Sequence, residues 1–184
     1  ADALENGAGY VRYLSNPDIF KQFLLEQYYL LREAWEDKSH ADLCDVACPD
    51  CLRNYGNRWE HKYLDWRLAL DMAELCLGLD FQYQRSLERA SSISQLLKTT
   101  LEGAGEGSRV LTASGIYSVS TSYASVVLGH PLWHSREALT SDLMMDAKLQ
   151  LQDKFGPKHP VFLSDIRDVS SRPNRWVVRL LAND

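Results

Sequence analysis

The sequence predicts an α+β protein in which a helical lobe comes first and a smaller lobe that contains strands follows. Apolar residues in the N-terminal half recur at three- and four-residue steps, as on the buried face of helices. Beyond a glycine-rich stretch at 102–107 the pattern changes to short β-branched runs separated by turns. A hydrophobic fraction of 45% and a charged fraction of 24% are ordinary for a globular protein with a substantial core.

Helical signals in the first lobe begin at Asn16, which we interpret as a helix cap because Pro17 and an acid follow it. The helix should run to about Asp37. A second helix is expected from about Arg58 to Leu77, where Gly78 is a natural stop, and a third from Gln84 to Leu101. The apolar stripe of the first helix comprises Ile19, Phe20, Phe23, Leu24, Leu30, Leu31 and Trp35.

The glycine run is the clearest predicted boundary, since three of its six residues are glycine. We therefore expect lobes at residues 1–102 and 108–184. Turn-separated, β-branched segments indicate strands in the second lobe, and a longer segment indicates one helix at 136–155. The predicted strands are 109–114, 116–121, 123–128, 161–164 and 176–181.

Charge and hydropathy exclude several classes of protein. The formal net charge is −5, so the whole chain offers no general attraction for nucleic acid. No apolar run approaches the ~18 residues that a membrane span requires. The start lacks the pattern of a signal peptide and begins at Ala1 rather than Met, so we expect a cytoplasmic fragment of a longer protein.

Gly7 and Gly9 predict a loop, with a phosphate-binding turn as the alternative.

Three of the four cysteines lie within eight residues, as Cys44-x3-Cys48-Pro49-Asp50-Cys51. A CxxC turn brings two thiolates to one ion, Pro49 favours that turn, and Cys44 is close enough to join them. We predict one structural zinc ion bound by this irregular cysteine knuckle, residues 44–56. Two disulfides and a set of reduced, buried cysteines are the alternatives.

The fourth zinc ligand must come from outside the cysteine motif, and we predict His61, at the start of the second expected helix. Cys76 and His40 are the alternatives. Cys76 lies ~22 Å along the helix from His61, so both cannot serve one ion. His40 precedes Cys44 by four residues. With Cys44, Cys48, Cys51 and His61 all from protein, no position remains for a reactive water.

These residues resemble a known family. Cys44-x3-Cys48-Pro-Asp-Cys51-Leu-Arg-Asn-Tyr, then Asn57, His61 and the stretch from Leu64 to Asp71, are similar to the zinc-binding C-terminal domain of large bacterial DEAD/DEAH-box helicases of superfamily 2. Relatives include Mrf-type DNA-repair helicases and helicases of the DISARM and Druantia phage-defence systems. The resemblance extends to Gly7–Tyr10, His130–Trp133 and Asp165–Pro173. It departs from Mrf-type members, which we expect to use four clustered cysteines.

The resemblance implies a non-catalytic accessory domain that supports DNA binding in phage defence or DNA repair. Its partners would be the helicase motor domains of the same chain, DNA and subunits of a defence system. The sequence has neither GxxxxGK[ST] nor a DEAD or DEAH tetrapeptide, so we expect no ATP hydrolysis by this chain. We predict four arginines as phosphate contacts. They are Arg12, Arg53, Arg58 and Arg67.

Two other functions stay open. A metal-dependent nuclease would need acids and a lysine, for which Asp165 and Asp168 with Lys148 or Lys154 are candidates. A protein-interaction scaffold of a defence complex needs none of these residues. His130 and His134, with Glu137, are a weaker candidate for a second metal site. Asp65 and Asp71 are expected to have structural roles.

Overall fold

The computed structural model describes residues 10–182 and divides the chain into two compact units, residues 1–82 and 83–184. It confirms the α+β class, with helices throughout and one four-stranded sheet in the second unit. The pair Gly7 and Gly9, with its phosphate-binding alternative, lies outside the described residues. Within residues 10–182, no helix has both the length and the apolar character that crossing a membrane requires.

Within residues 10–82, the first unit contains four α-helices and an irregular segment. The helices are α1 (Tyr10–Leu14), α2 (Pro17–Glu36), α3 (Lys38–Ala41) and α4 (Trp66–Leu77). The N-cap of α2 is as predicted, because Asn16 Oδ1 accepts from the backbone N–H groups of Asp18 and Ile19. A small core joins α2, α4 and the knuckle. Its buried members are Tyr28, Trp35, Cys44, Trp66 and Leu70.

Helix α4 begins eight residues later than the predicted start at Arg58, and it ends as predicted at Gly78, where φ is 69°. Two short 3₁₀ turns, Tyr55–Asn57 and His61–Tyr63, precede it. The observed start of α4 is fixed by Asp65, whose carboxylate caps the helix by accepting from the backbone N–H groups of Arg67 and Leu68. The structural role expected for Asp65 is therefore confirmed.

The second unit begins with α5 (Gln84–Gly103) and continues through a sheet of order β1-β2-β3-β4. Strands β1 to β3 are antiparallel neighbours, and β4 lies parallel to β3 after the crossover helix α6. Two short helices close the unit. The bounds are β1 Arg109–Ala113, β2 Ile116–Ser120, β3 Ser125–Gly129, α6 Asp142–Phe155, β4 Val161–Asp165, α7 Ile166–Ser171 and α8 Pro173–Leu181.

The boundary between units differs from the predicted one, since α5 belongs to the second unit. Helix α5 buries Ala90, Leu97 and Leu101 in the same cluster as Val119 and Val126 of the sheet. The glycine run that follows is a tight turn: the Leu101 carbonyl accepts from the backbone of Ala104 and Glu106. Glycines here reverse the chain within one core and do not separate two lobes.

The predicted strand at 176–181 is wrong, because this segment is helix α8. Trp176 and Leu180 are buried one helical turn apart, while Val178 between them is 69% exposed. That burial period is helical, and Pro173 occupies the first turn, where a missing N–H costs nothing. The β-branched pair Val177 and Val178 suggested a strand, and burial of Trp176 and Leu180 overrides that propensity.

Two adjacent leucines on α5 test whether this helix packs into the core of the second unit. Leu97 is 1% exposed and Leu96 is 55% exposed. Leu97→Ala should lower the free energy of unfolding of the second unit by about 2–5 kcal/mol, because it leaves a cavity in the core. Leu96→Ala should change it by less than about 0.5 kcal/mol. Urea denaturation followed by circular dichroism measures both, and equal effects would contradict this packing.

Candidate metal centre

Three thiols converge in the first unit, as the cysteine motif predicts. The Sγ atoms of Cys44 and Cys51 are 3.8 Å apart, and those of Cys48 and Cys51 are 3.7 Å apart. Zinc–sulfur bonds of ~2.3 Å at tetrahedral angles place two sulfur ligands ~3.8 Å apart. All four cysteines of the chain are free thiols. The spacing therefore fits one tetrahedral ion and not a disulfide.

The backbone of the knuckle is shaped to hold these sulfurs. The Cys48 carbonyl accepts from the N–H groups of Cys51 at 3.2 Å and Arg53 at 3.0 Å, which closes the CxxC turn. The Cys48 N–H in turn donates to Cys51 Sγ at 3.1 Å. Trp66 anchors the other side of the knuckle, because its indole N–H donates to the Cys44 carbonyl at 3.0 Å.

His40 is the fourth group of this cluster. Its ligand nitrogen and the three sulfurs all lie within 4.8 Å of one another. His40 Nδ1 lies 2.8 Å from the Trp35 carbonyl, which can only accept, so Nδ1 carries the proton and Nε2 keeps its lone pair. That Nε2 is buried and has no hydrogen-bond partner in the described part of the chain. A buried nitrogen without a hydrogen-bond partner, beside three thiols, fits a metal-binding site.

Local structure explains why His40 reaches the thiols. The short helix α3 continues into a turn in which the Cys44 N–H donates to the His40 carbonyl at 2.8 Å. This places His40 and Cys44 one helical turn apart on the same side. The imidazole also packs edge-on against Trp66, with ring centroids 5.3 Å apart. The spacing His40-x3-Cys44 was a usable sequence signal for the fourth ligand.

His61, our predicted fourth ligand, lies outside this cluster, in which His40 is the fourth group. His61 Nε2 lies 3.0 Å from the Asn54 carbonyl and 2.9 Å from Asn57 Oδ1. Both are acceptors, because the Asn57 amide nitrogen donates to the Leu52 carbonyl. Nε2 of His61 therefore donates in both contacts, so this nitrogen is not available to a metal ion in this arrangement. Cys76, the other alternative, is exposed on α4 and outside the cluster.

The thiols differ in acidity. Burial raises the pKa of Cys44, and the neighbouring sulfurs of Cys48 and Cys51 add to the rise. For Cys48, burial acts in the same direction but is outweighed by hydrogen bonds with the Asp50 backbone and with Cys44 and Cys51, so its pKa is lowered. Only the thiolate binds metal, so Cys48 is the readier ligand and Cys44 must release its proton on binding.

The four predicted DNA-contact arginines lie in the first unit. Arg12 is exposed on α1, and Arg53 lies in the knuckle, with its Nε buried and without a hydrogen-bond partner among the described residues. Arg58 is exposed on the segment before α4. Arg67 lies over the Trp66 ring, with Cζ 4.2 Å from its centroid, and donates to the Asp45 carbonyl at 2.6 Å.

The residues of the nuclease alternative are engaged in separate contacts of the second unit. Asp165 caps α7, and burial raises its pKa. Asp168 accepts from the Trp176 indole N–H at 3.0 Å and from Arg172 at 3.3 Å. Lys148 pairs with Glu137, and Lys154 lies over the ring of Phe155. This arrangement does not favour a cluster of acids with a lysine.

The second metal hypothesis, at His130 and His134, also lacks support. The imidazole of His130 accepts from the Leu132 N–H at 3.1 Å and that of His134 from the Arg136 N–H at 3.2 Å, so each histidine stabilises its own turn. Among residues 10–182, the group of His40, Cys44, Cys48 and Cys51 is the candidate metal cluster found.

Comparison with protein-family models, curated proteins and solved structures finds no match to this chain. The metal centre therefore rests on its own geometry.

Proposed function

We propose that this chain is a zinc-stabilised, non-catalytic accessory domain of a superfamily 2 DNA helicase. It supports DNA binding in phage defence or DNA repair, in the reducing cytoplasm where free thiols persist. Its partners are the motor domains of the same protein, DNA and subunits of a defence system. The cluster of His40 with three cysteines carries the zinc part of the proposal, and the resemblance of the Cys44–Asp71 segment carries the helicase part.

The donor set favours a structural role for the metal. His40, Cys44, Cys48 and Cys51 together supply four ligands, which is the full coordination of a structural zinc ion. Zinc, when bound, cross-links the end of α3 to the CxxC turn and leaves no open position for a substrate or a reactive water. The Trp35 carbonyl orients His40 for this task by accepting from Nδ1–H.

The same centre supports a role in holding DNA. Arg67 donates to the carbonyl of Asp45, a residue between two of the cysteine ligands, so metal binding would also fix the guanidinium. Arg53 follows directly on the CxxC turn and bonds through its N–H to the Cys48 carbonyl. An array of guanidiniums held by an ordered backbone loses less conformational entropy when it binds phosphates.

One observation favours the scaffold alternative. Helix α2 exposes large apolar side chains of the stripe that the sequence predicted to be buried, including Phe20 at 44%, Leu30 at 60% and Leu31 at 41%. Surface patches of this kind mark contacts with other proteins. In the proposed function this face would serve the motor domains or a defence subunit, in addition to DNA binding.

A salt titration tests the DNA role. We expect weak binding of DNA by the 184-residue chain, tighter with the motor domains attached, and a slope of log affinity against log salt of about −2 to −4. Arg53→Ala and Arg67→Ala should each reduce that slope by about 1. Arg136→Ala, an exposed arginine of the second unit, is the charge-matched control.

Fluorescence anisotropy of labelled single- and double-stranded DNA gives the affinities. No binding at low salt, even with the motor domains attached, would contradict the DNA role. Retention of a partner subunit in a pull-down under those conditions would favour the scaffold instead.

A further inference from the structure

The segment between the CxxC turn and α4 exposes three large aromatic side chains. We call residues 54–63 the aromatic loop. Tyr55 is 82% exposed, Trp59 is 79% exposed and Tyr63 is 60% exposed. Single exposed aromatics are common on protein surfaces, but three in nine residues give a concentrated apolar and π-electron surface. The zinc centre does not use these rings.

Cations lie directly on these rings. Arg58 Cζ lies 4.5 Å from the ring centroid of Tyr55 and 5.0 Å from that of Trp59. Lys62 Nζ lies 4.7 Å from the ring centroid of Tyr63. Each separation is within the ~6 Å range of cation–π attraction. The loop thus presents flat rings and positive charge side by side.

The charge of this segment is opposite to that of the whole chain. The aromatic loop contains Arg58 and Lys62 against the single acid Glu60, and Arg53 directly precedes it, whereas the chain carries a net charge of −5. An anionic ligand is therefore attracted to this segment and not to the surface in general.

Hydrogen bonds hold the aromatic loop in one shape. Asn54 and Asn57 bond each other reciprocally, side chain to backbone, at 2.9 and 3.1 Å. The Asn57 amide donates to the Leu52 carbonyl at 2.8 Å, and His61 Nε2 donates to the Asn54 carbonyl and to Asn57 Oδ1. This network gives His61 a structural role, because its hydrogen bonds fix the conformation of the aromatic loop. A preorganised surface binds with a smaller entropic cost.

We propose that the aromatic loop binds single-stranded DNA by stacking unpaired bases on Trp59 and Tyr55, while Arg58 and Lys62 contact the phosphates. Stacking on aromatic rings beside a basic track is how proteins bind single strands without sequence preference. In a duplex the base faces are already stacked on one another, so the aromatic side chains can make few stacking contacts with them. This inference deepens the proposed function and rests on its DNA-binding part. It specifies the unpaired strand that a helicase produces.

The test compares single- and double-stranded DNA on the same chain. Trp59→Ala should weaken binding of a labelled oligo-dT by roughly tenfold, whereas Trp59→Phe, which keeps a ring, should stay within about threefold. Affinity for a duplex of the same length should change by less than about twofold, and zinc content should not change. Tyr55→Ala should weaken oligo-dT binding, while Tyr29→Ala, an exposed tyrosine of α2, should not.

Fluorescence gives a second readout that a purely structural role would not move. Oligo-dT should quench the parent protein more than Trp59→Phe, because the stacked indole is then absent. Unchanged oligo-dT affinity in Trp59→Ala, with weaker binding in Arg53→Ala and Arg67→Ala, would overturn the stacking site and leave the proposed function standing. Absence of all DNA binding would overturn both. Loss of motor-domain capture by Trp59→Ala, with unchanged DNA affinity, would identify a protein contact and also overturn the inference.

Discussion

His40→Ala should strip the metal ion from the protein, whereas His61→Ala should leave the metal content near one zinc per chain. His40 supplies the one nitrogen among the four clustered donors, and its Nε2 is buried without a hydrogen-bond partner in residues 10–182. Mutation of a residue that hydrogen-bonds to a metal ligand typically lowers metal affinity by ~10–100-fold. Loss of a ligand itself should therefore lower the affinity by at least about a hundredfold. Elemental analysis after dialysis against a weak chelator measures the outcome.

The two histidines form a matched pair, since they belong to the same unit and lie on either side of the cysteines. His61 holds the aromatic loop through Asn54 and Asn57, so His61→Ala should loosen that loop while zinc remains bound. If His40→Ala keeps its full zinc content and His61→Ala loses zinc, His61 is the fourth ligand, as the sequence analysis predicted. Cys76→Ser should leave the metal in place, since Cys76 lies on α4 outside the cluster.

The cysteine part of the site was predictable because the information is local. A CxxC turn with a third cysteine four residues upstream restricts the sulfurs to one neighbourhood, whatever the rest of the chain does. The histidine was not settled by the same reasoning. His40 and His61 flank the motif, and the choice depends on whether α3 continues as a turn into Cys44 and on where Trp66 packs. Those are tertiary facts, although the four-residue spacing of His40 and Cys44 is compatible with a shared site.

The fold shows the same division between local and tertiary information. Strands β1, β2 and β4 lie close to their predicted bounds because short β-branched runs with turns between them are strong local signals. The assignment of α5 to the second unit is different, because it depends on the burial of Leu97 and Leu101 against the sheet. Helix α8 shows that a four-residue burial period can prevail over β-branched composition.

Removal of zinc should unfold the first unit and leave the second unit folded. The buried core of the first unit is small, and it includes Cys44, with Cys48 and Cys51 packed against it. The second unit has two clusters of its own, with twelve and seven buried residues, and neither contains a cysteine. Structural zinc contributes ~10–16 kcal/mol of apparent binding energy in zinc-finger peptides, which equals or exceeds the whole stability of most domains.

Hydrogen exchange with and without a strong chelator measures this difference between the units. Amides of α4 should lose their protection on chelation, because Trp66 at its start donates to the Cys44 carbonyl and shares the core with the ligands. Amides of β2 and β3, which are centrally placed in the sheet, should keep theirs. Chelator already saturated with zinc is the control, and re-addition of zinc should restore α4. If α4 stays protected after complete metal removal, the metal ion does not stabilise the first unit. If the amides of β3 lose protection together with those of α4, the two units do not fold independently.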